Sequence, residues 1–408
     1  MAETEAKPVA LTPLAPLQPV ARLVSLDAYR GFIMLAMASA GLAIPRVSKN
    51  LGGAWAGLAA QLDHVSWEGC AAWDLIQPAF MFMVGVAVPY AYARRQERGQ
   101  SWGGMLRHVV VRAAILVALG VFLASASSKQ TNFVFTNVLA QIGLGYVFVF
   151  LLWGRSRAVQ AAAVVALLVG TAALFLLYPA PQPGPGFDTA AHALPADWPL
   201  FSGAAAHWNK HANAGSRFDL WLLNLFPGEK PFALKASDGG YATLNFIPSI
   251  ATMILGLMAG DLLRSARTAR AKLAILVAAG AGLMALGLAA SWAGCPIVKR
   301  LWTPSWTLVS GAWVVWMLAA FYAVIDVAGL RQWAWPLVVV GMNSIAIYLM
   351  AHLMKDWLWS MLRIHGGWLL DLAKIDAAYL PIVQAAAVLA ALWLICVWMY
   401  RRKIFVRI

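Results

Sequence analysis

A histidine and two carboxylates lie close together in one short segment, LDHVSWEGCAAWDLIQPAF. They are His64, Glu68 and Asp74. Histidine is the side chain best suited to take a proton near neutral pH, and a neighbouring carboxylate can hold its tautomer and stabilise the imidazolium. The segment therefore fits a general base with an orienting acid. Spacing alone leaves a second interpretation open, in which His64 is a polar anchor at an interface.

Further polar residues lie within long apolar stretches, where such groups are costly and are functional candidates. Asp27 and Arg30 are three residues apart in SLDAYRG and can meet on one face of a helix, as a functional or a structural ion pair. The others are Gln141, Asn343 and His352. Such side chains often join neighbouring helices, but their occurrence in several stretches predicts a polar cavity through the protein.

The apolar stretches indicate the fold class. Hydrophobic residues make up 62% of the chain and charged residues 12%, against roughly 25% charged residues in soluble domains. The apolar residues fall in blocks of about 20, the length that a helix needs to cross a bilayer. We predict an all-α, polytopic transmembrane bundle of about ten spans. They lie near residues 28–46, 73–93, 107–125, 134–153, 158–178, 244–264, 272–291, 305–326, 333–354 and 380–400.

The charge distribution predicts the orientation of these spans. The net charge of +14 does not indicate nucleic-acid binding, because the basic residues form short clusters between apolar blocks. Most clusters fall on one side of the predicted bundle. They contain Arg94, Arg95, Arg98 and Arg107, then Arg155 and Arg157, then Arg264, Arg267, Arg270 and Lys272, and finally Arg401, Arg402, Lys403 and Arg407. The positive-inside rule puts that side and both termini in the cytoplasm, so His64 faces outward.

The chain divides into an N-terminal segment and one membrane domain. Residues 1–21 are rich in Pro and Ala, and we expect them to be disordered, cytoplasmic and without a cleavable signal peptide. The membrane domain covers residues 22–408 and includes an outer segment, 179–243, which is either a folded ligand-binding cap or a mobile surface loop. The cysteines, Cys70, Cys295 and Cys396, lack CxxC spacing, so we predict neither a metal site nor a disulfide framework.

An ordered set of strings resembles one protein family. It consists of SLDAYRG, HVSWEG with DLIQPAFMFMVGV, NVLAQIGLGY, IPSIATMILGLMAG, RLWTPSWTL and VVVGMNSIAIYLMAH, within residues 22–355. The set resembles the heparan-α-glucosaminide N-acetyltransferase family of transmembrane acyltransferases and its bacterial relatives. The resemblance implies a multi-pass protein of the bacterial inner membrane that forms a homodimer.

The resemblance also implies a reaction. Cytosolic acetyl-CoA donates its acetyl group to an amino sugar or glycan on the other side of the membrane. The family's catalytic histidine precedes a Trp, a Gly and an Asp-Leu pair, a pattern matched here by His64-Val65-Ser66-Trp67-Glu68-Gly69 and Asp74-Leu75. His64 is therefore the expected base, oriented by Asp74 or Glu68. Residues expected to bind the donor are Arg30, Arg94, Arg95, Arg107, Lys272, Gln141 and Asn343. Residues expected to contact the acceptor are Asp27, His352, Trp208 and Trp302.

The chain also departs from the family pattern. The lysosomal member has an Asn late in its first span, where this chain has Ser39 and Gly41, and an Arg that often follows the family Gln is replaced by Ile142. We also expect no lumenal N-terminal domain, so the lysosomal acceptor is not carried over. Two alternatives stay open. One is a transporter for a sugar or small anion with a proton-coupling His64, against which no internal repeat is evident. The other is an inactive relative with a structural role.

Overall fold

The computed structural model describes residues 23–184 and 187–406. The segment predicted to be disordered, 1–21, and Arg407 lie outside these ranges. Regular structure in the described ranges is helical, which confirms the predicted all-α class. The α-helices are α1 Val24–Ser39, α2 Ile44–Leu51, α3 Ala54–Leu62, α4 Ile76–Glu97, α5 Trp102–Ser125, α6 Val138–Leu152, α7 Arg157–Leu177, α8 Ala214–Leu222, α9 Phe246–Arg264, α10 Ala269–Trp292, α11 Pro304–Phe321, α12 Trp335–Gly341, α13 Ser344–Leu353, α14 Lys355–Ala373 and α15 Leu380–Arg401.

Eight helical segments of the described chain are long and apolar enough to cross a membrane. They are Val24–Leu51, Ala72–Glu97, Trp102–Ser125, Arg157–Leu177, Thr243–Arg264, Ala269–Trp292, Pro304–Val327 and Ala377–Arg401. α12 and α13 make a ninth if they form one span bent by 67°. The remaining predicted span, near 134–153, corresponds to α6, which has 15 residues and therefore rises only about 22 Å. The polytopic bundle is confirmed, but two of its predicted spans are bent or short.

The chain turns sharply where α1 ends. Ala40, Gly41, Leu42 and Ala43 all have left-handed backbone conformations, with φ values of 47°, 62°, 50° and 57°. α2 and α3 follow this turn and pack against each other. The predicted outer loop at 46–72 therefore contains helical residues up to Leu62, just before His64. Sequence analysis missed these helices because each is far shorter than a membrane span.

Glycines let the backbones of α4 and α9 touch. A Cβ atom added to Gly85 would lie 1.9 Å from the carbonyl oxygen of Met253, and one added to Gly256 would lie 2.0 Å from that of Phe82. Small residues of this kind allow close helix packing in membranes, where no hydrophobic force drives helices together. This contact fixes α4, and with it the turn just before α4 that carries Asp74.

Substitution of Gly256 by alanine should destabilise the protein by about 1–3 kcal/mol, because the new methyl group has no space against α4. Gly170 on α7 is the matched control, since a Cβ there meets nothing within 4 Å. Gly170→Ala should leave stability unchanged or raise it by up to about 1 kcal/mol. Thermal unfolding in detergent measures both variants, and equal effects would argue against a backbone contact between α4 and α9.

We call the end of the bundle where α4 and α11 begin the His64 face. At the opposite end, hydrogen bonds join distant parts of the chain. Asp326 accepts there from the backbone nitrogens of Val24, at 3.3 Å, and Ser25, at 3.1 Å. The side chain of Asn343 donates to the carbonyl of Ile404 at 3.0 Å and accepts from the nitrogen of Val406 at 3.1 Å. Both ends of the described chain therefore lie opposite the His64 face.

The long connection between α7 and α9 packs over the His64 face as a cap. Its Trp208 is buried and stacks on Phe175 of α7 at 4.6 Å. The indole nitrogen of Trp67 donates to the carbonyl of Trp208 at 3.1 Å. The side chain of Asn209 bonds both backbone groups of Phe201, at 2.7 and 2.9 Å. The described part of segment 179–243 is thus folded, and its Trp208 belongs to a small apolar cluster shared with Trp67, Phe175 and the segment before α11.

A buried carboxyl links the cap to the start of α9. Both oxygens of Asp219 accept from the backbone nitrogen of Thr243, at 3.2 and 3.0 Å, and burial raises the pKa of this carboxyl to about 6. Since the folded pKa lies above the unfolded value of about 3.9, the protonated carboxyl favours folding. That contribution is fully present below the unfolded pKa and is lost as the pH rises through about 6.

The melting temperature in detergent should therefore fall from pH 4 to pH 7, by an amount that corresponds to about 2 kcal/mol of unfolding free energy. Asp219→Asn should remove most of this pH dependence, because the amide does not ionise. Asp197→Asn, at an exposed position of the cap, should keep it. If both variants retained the full dependence, Asp219 would not be its source.

Candidate active site

Asp74 and His64 form a close pair on the His64 face. Asp74 lies in the turn Ala72–Leu75 just before α4 and is fully buried. Its Oδ1 lies 2.6 Å from His64 Nδ1, and its Oδ2 accepts from the backbone nitrogens of Ala71, at 3.2 Å, and Val65, at 3.4 Å. An ionised carboxylate can only accept hydrogen bonds, so the imidazole carries its hydrogen on Nδ1 and donates it to Asp74, which leaves Nε2 as an acceptor.

Lys299 completes a group of three charged or titratable side chains. It lies in the turn Lys299–Leu301 before α11, and only 4% of it is exposed. Its Nζ lies 3.2 Å from Asp74 Oδ1 and 3.2 Å from His64 Nδ1. Burial lowers the pKa of this ammonium, and the Asp74 carboxylate opposes the shift. Asp74 therefore bridges a histidine and a buried lysine.

Arg300 holds the cap against this group. Its guanidinium donates to the carbonyls of Gly239, at 2.6 Å, and Val65, at 3.2 Å, and lies 5.6 Å above the ring of Tyr241. Gly69 N donates to the carbonyl of Ile297 at 2.9 Å. These bonds connect the His64 segment, the cap and the turn before α11.

A cavity of about 380 Å³ opens beside these residues. His64, Lys299 and Tyr241 line its polar end. The remaining lining residues are Met34, Met37, Trp73, Ile76, Gln77, Phe80, Thr136, Asn137, Val138, Tyr348 and His352. A proton acceptor, a buried cation and apolar side chains thus meet in one space, which suits polar chemistry on a bound molecule.

The cavity reaches into the outer part of the bundle. Its lining residues on α4 extend to Phe80, about one turn after the start of the helix, and those on α6 are at its first turn. Beside the lining residue Gln77 lies Gln141, which is fully buried and accepts from Gln77 Nε2 at 3.0 Å. A polar cavity through the whole bundle stays a prediction.

Comparison with known proteins gives two related sequences. The human heparan-alpha-glucosaminide N-acetyltransferase is 24% identical, over 95% of this chain and 60% of the human protein. The mouse protein of the same name is 24% identical, over 82% of this chain and 54% of the mouse protein. These matches support membership of the heparan-α-glucosaminide N-acetyltransferase family. No protein-family model matches the sequence.

This similarity agrees with the resemblance seen in the ordered strings. The chain nevertheless spans about 60% and 54% of the length of these two relatives. The acetyltransferase activity that the relatives' name describes is therefore only a proposal for this chain. The identity of 24% is also too low to transfer individual residues, so the local geometry must support each role.

The geometry separates the two carboxylates expected to orient His64. Asp74 binds Nδ1 directly, whereas Glu68 is exposed to solvent. His352 lines the cavity; its Nδ1 lies 2.8 Å from the carbonyl of Tyr348, and its ring stacks on that residue at 4.4 Å. Asp74 and His352 are thus at the site, and Glu68 is beside it.

Two polar residues expected to bind the donor have structural contacts instead. Asn343 is buried and bonds the C-terminal segment at Ile404 and Val406. Gln141 reaches the cavity only through its bond to Gln77. Sequence analysis could not distinguish these cases, because a polar residue within a span has the same pattern whether it faces a cavity or a neighbouring helix.

The other expected residues are distributed over the molecule. Asp27 and Arg30 face each other at 3.8 Å near the end of α1 opposite the His64 face. Trp208 and Trp302 are 0% and 1% exposed, so neither presents a ring face to an acceptor; the indole nitrogen of Trp302 donates to Thr252 Oγ1 at 3.3 Å. Both rings are packed within the protein, and their contact with an acceptor stays a prediction.

The basic residues expected to bind the donor lie at the opposite end of the bundle. Arg94 and Arg107 are exposed. Arg95 donates to Gln100 Oε1 at 3.1 Å and lies 2.7 Å from His108 Nε2. Lys272 donates to the carbonyl of Leu263 at 2.7 Å. Their contacts involve different segments, and their charges are available to an anion at that surface.

Sequence analysis missed Lys299 as a site residue. The neighbouring Arg300 was missed as well. One signal could have found them, because the positive-inside rule leaves few cations on the outer side. Lys299 and Arg300, the first residue of the quoted string RLWTPSWTL, form a basic pair on the outer side. The positive-inside rule does not account for a basic pair there.

Proposed function

We propose that this protein is a transmembrane acetyltransferase that moves an acetyl group from acetyl-CoA to an amino sugar or glycan at the His64 face. One observation carries the proposal. The imidazole of His64 is bonded through Nδ1 to a fully buried carboxylate, beside a buried lysine and a cavity of about 380 Å³. The relatives' name, heparan-alpha-glucosaminide N-acetyltransferase, supplies the reaction class.

His64 acts as the general base in this proposal. Its Nε2 takes a proton from the acceptor amine or hydroxyl as that group attacks the thioester carbonyl. Asp74 holds the tautomer and stabilises the imidazolium, as the 2.6 Å contact at Nδ1 allows. The tetrahedral intermediate then expels the thiolate, which receives the proton from His64. An acetylated His64 intermediate is compatible with the same groups but is not required.

The donor's phosphates would bind at the basic end opposite the His64 face. Arg94, Arg95, Arg107 and Lys272 carry charges there, and guanidinium and ammonium groups are good phosphate partners. Gln77 of the cavity wall is bonded to the buried Gln141, and delivery of the acetyl group from that end has to pass this pair. The bend between α12 and α13 and the π-helical turn Tyr322–Val327 are irregular segments that could move. Orientation with cytoplasmic termini in a bacterial inner membrane, and a homodimer, remain predictions.

The test uses the purified full chain and radiolabelled acetyl-CoA. Glucosamine, galactosamine and a chitosan oligosaccharide serve as acceptors, in detergent and in liposomes with acetyl-CoA on one side only. Acetylation of any acceptor supports the proposal, and product on the side opposite the donor supports transfer across the membrane. Sugar or anion flux without release of CoA in any arm would instead support the transporter and reject the enzyme.

A further inference from the structure

Lys299 places a positive charge at the cavity wall beside the proposed base. It is the one Lys or Arg among the described residues that line the cavity. The ammonium has three N–H groups, and one of them is directed to Asp74 Oδ1 at 3.2 Å. His64 Nδ1 is equally close, but it holds its own hydrogen for Asp74 and cannot accept another. The ammonium therefore keeps donor capacity for a molecule in the cavity.

The side-chain amides near the cavity already have partners for their N–H groups. The Nε2 of Gln77 donates to Gln141 Oε1 at 3.0 Å, and the Nδ2 of Asn137 donates to the carbonyl of Val134 at 3.2 Å. Asn343, expected from the sequence to bind the donor, bonds the C-terminal segment. Lys299 is adjacent to His64 and buried. Its charge is consequently weakly screened.

We propose that Lys299 is a catalytic residue that donates a hydrogen bond to the thioester carbonyl oxygen and stabilises the oxyanion formed there. This inference rests on the proposed function and adds a role that His64 and Asp74 cannot fill. When the acceptor nitrogen forms its bond to the carbonyl carbon, the C=O pair moves onto oxygen beside the ammonium. The acceptor proton goes to His64 Nε2. Collapse restores C=O and breaks the C–S bond, and the thiolate takes the proton from His64, so that Lys299 ends the cycle unchanged.

The contact with Asp74 explains how a lysine can be buried at this position. An isolated ammonium in a protein interior is costly, and Asp74 compensates it in the resting state. During the reaction the ammonium faces a second negative charge that exists only in the intermediate. A group placed before the charge develops needs no reorganisation when it forms, which is the basis of oxyanion stabilisation.

Lys299→Met removes the charge and keeps a side chain of similar length. With acetyl-CoA and the acceptor that the wild type uses, its kcat should fall about 10²–10³-fold, the effect of one lost oxyanion donor, with little change in the KM for acetyl-CoA. Lys299→Arg keeps a cation and should retain part of the activity. Lys210→Met is the control, because Lys210 is also a buried lysine, 2% exposed, but lies in the cap, where its Nζ donates to the carbonyl of Ala236 at 3.1 Å. It should retain wild-type kcat.

Binding of two CoA analogues separates this role from a structural one. Trifluoroacetonyl-CoA carries a ketone that forms an oxyanion-like adduct, whereas S-ethyl-CoA has no carbonyl. Lys299→Met should weaken only the first, by about 10²-fold, in a calorimetric measurement. If Lys299→Met accumulates poorly, Lys299→Gln is used for the same comparison.

The outcomes of this experiment are distinct. Equal weakening of both analogues, or a kcat within tenfold of wild type, would overturn the role of Lys299 while leaving an active His64-dependent enzyme. A wild type that neither transfers acetyl groups nor binds either analogue would overturn the proposed function itself. Selective loss of ketone binding together with the loss of kcat supports both.

Discussion

Replacement of His64 by alanine is expected to reduce acetyl transfer by about 10²–10⁴-fold, the contribution of a positioned general base. The KM for acetyl-CoA should change little, because His64 acts on the acceptor proton. The measurement is steady-state transfer from labelled acetyl-CoA in detergent. His64→Gln belongs in the same series, since it keeps polarity at this position but cannot take the proton.

Two histidines provide matched controls. His207 lies in the cap, with Nδ1 3.0 Å from the carbonyl of Tyr178, and does not line the cavity. His207→Ala should retain wild-type kcat. His352 lines the far part of the cavity, so His352→Ala should affect the acceptor KM more than kcat. If His64→Gln kept wild-type activity, His64 would be the polar anchor that spacing alone also allowed.

The sequence alone predicts the fold class and one pair of site residues, His64 and Asp74. Apolar blocks of about 20 residues predict helices, because a helix of this length crosses the bilayer and satisfies its own backbone groups. His64 and Asp74 are ten residues apart, within one quoted string, and the fold brings His64 Nδ1 to 2.6 Å from Asp74 Oδ1. A local pattern can indicate such a pair because the connecting segment is short.

Features that depend on distant contacts were not predictable in this way. Lys299 reaches His64 across 235 residues of chain, and no periodicity in either segment carries that information. The same limit applies to the buried rings of Trp208 and Trp302, whose surroundings come from other segments. Hydrophobicity identified Gln141 as unusual but could not tell a cavity wall from the packed layer behind it.

Replacement of Asp74 by asparagine is expected to affect both stability and activity. It leaves the Lys299 ammonium buried without its countercharge, a change that costs about 3–5 kcal/mol in comparable buried pairs. It also removes the carboxylate that fixes the tautomer of His64, so acetyl transfer should fall by at least about 10²-fold. Glu68→Gln is the control, since Glu68 is exposed and its loss should change stability by less than about 0.5 kcal/mol.

The stability loss in Asp74→Asn should depend on pH in a defined direction. Burial lowers the pKa of Lys299, and Asp74 opposes that shift, so the variant lowers it further. The unfavourable contribution is then fully present below the folded pKa and disappears as the pH approaches the unfolded value of about 10.4. The difference in unfolding free energy between wild type and variant should therefore shrink from pH 7 to pH 9.5.

The double variant Asp74→Asn/Lys299→Met separates stability from catalysis. It removes the uncompensated charge and should recover most of the lost unfolding free energy, because replacing a buried ion pair by apolar or neutral groups is often close to neutral. Acetyl transfer should stay as low as in the more impaired single variant. Recovery of stability without activity would assign the pair to the chemistry of the site. A double variant as unstable as the sum of the two single variants would mean that Asp74 and Lys299 are not coupled, and the geometry around His64 would need another explanation.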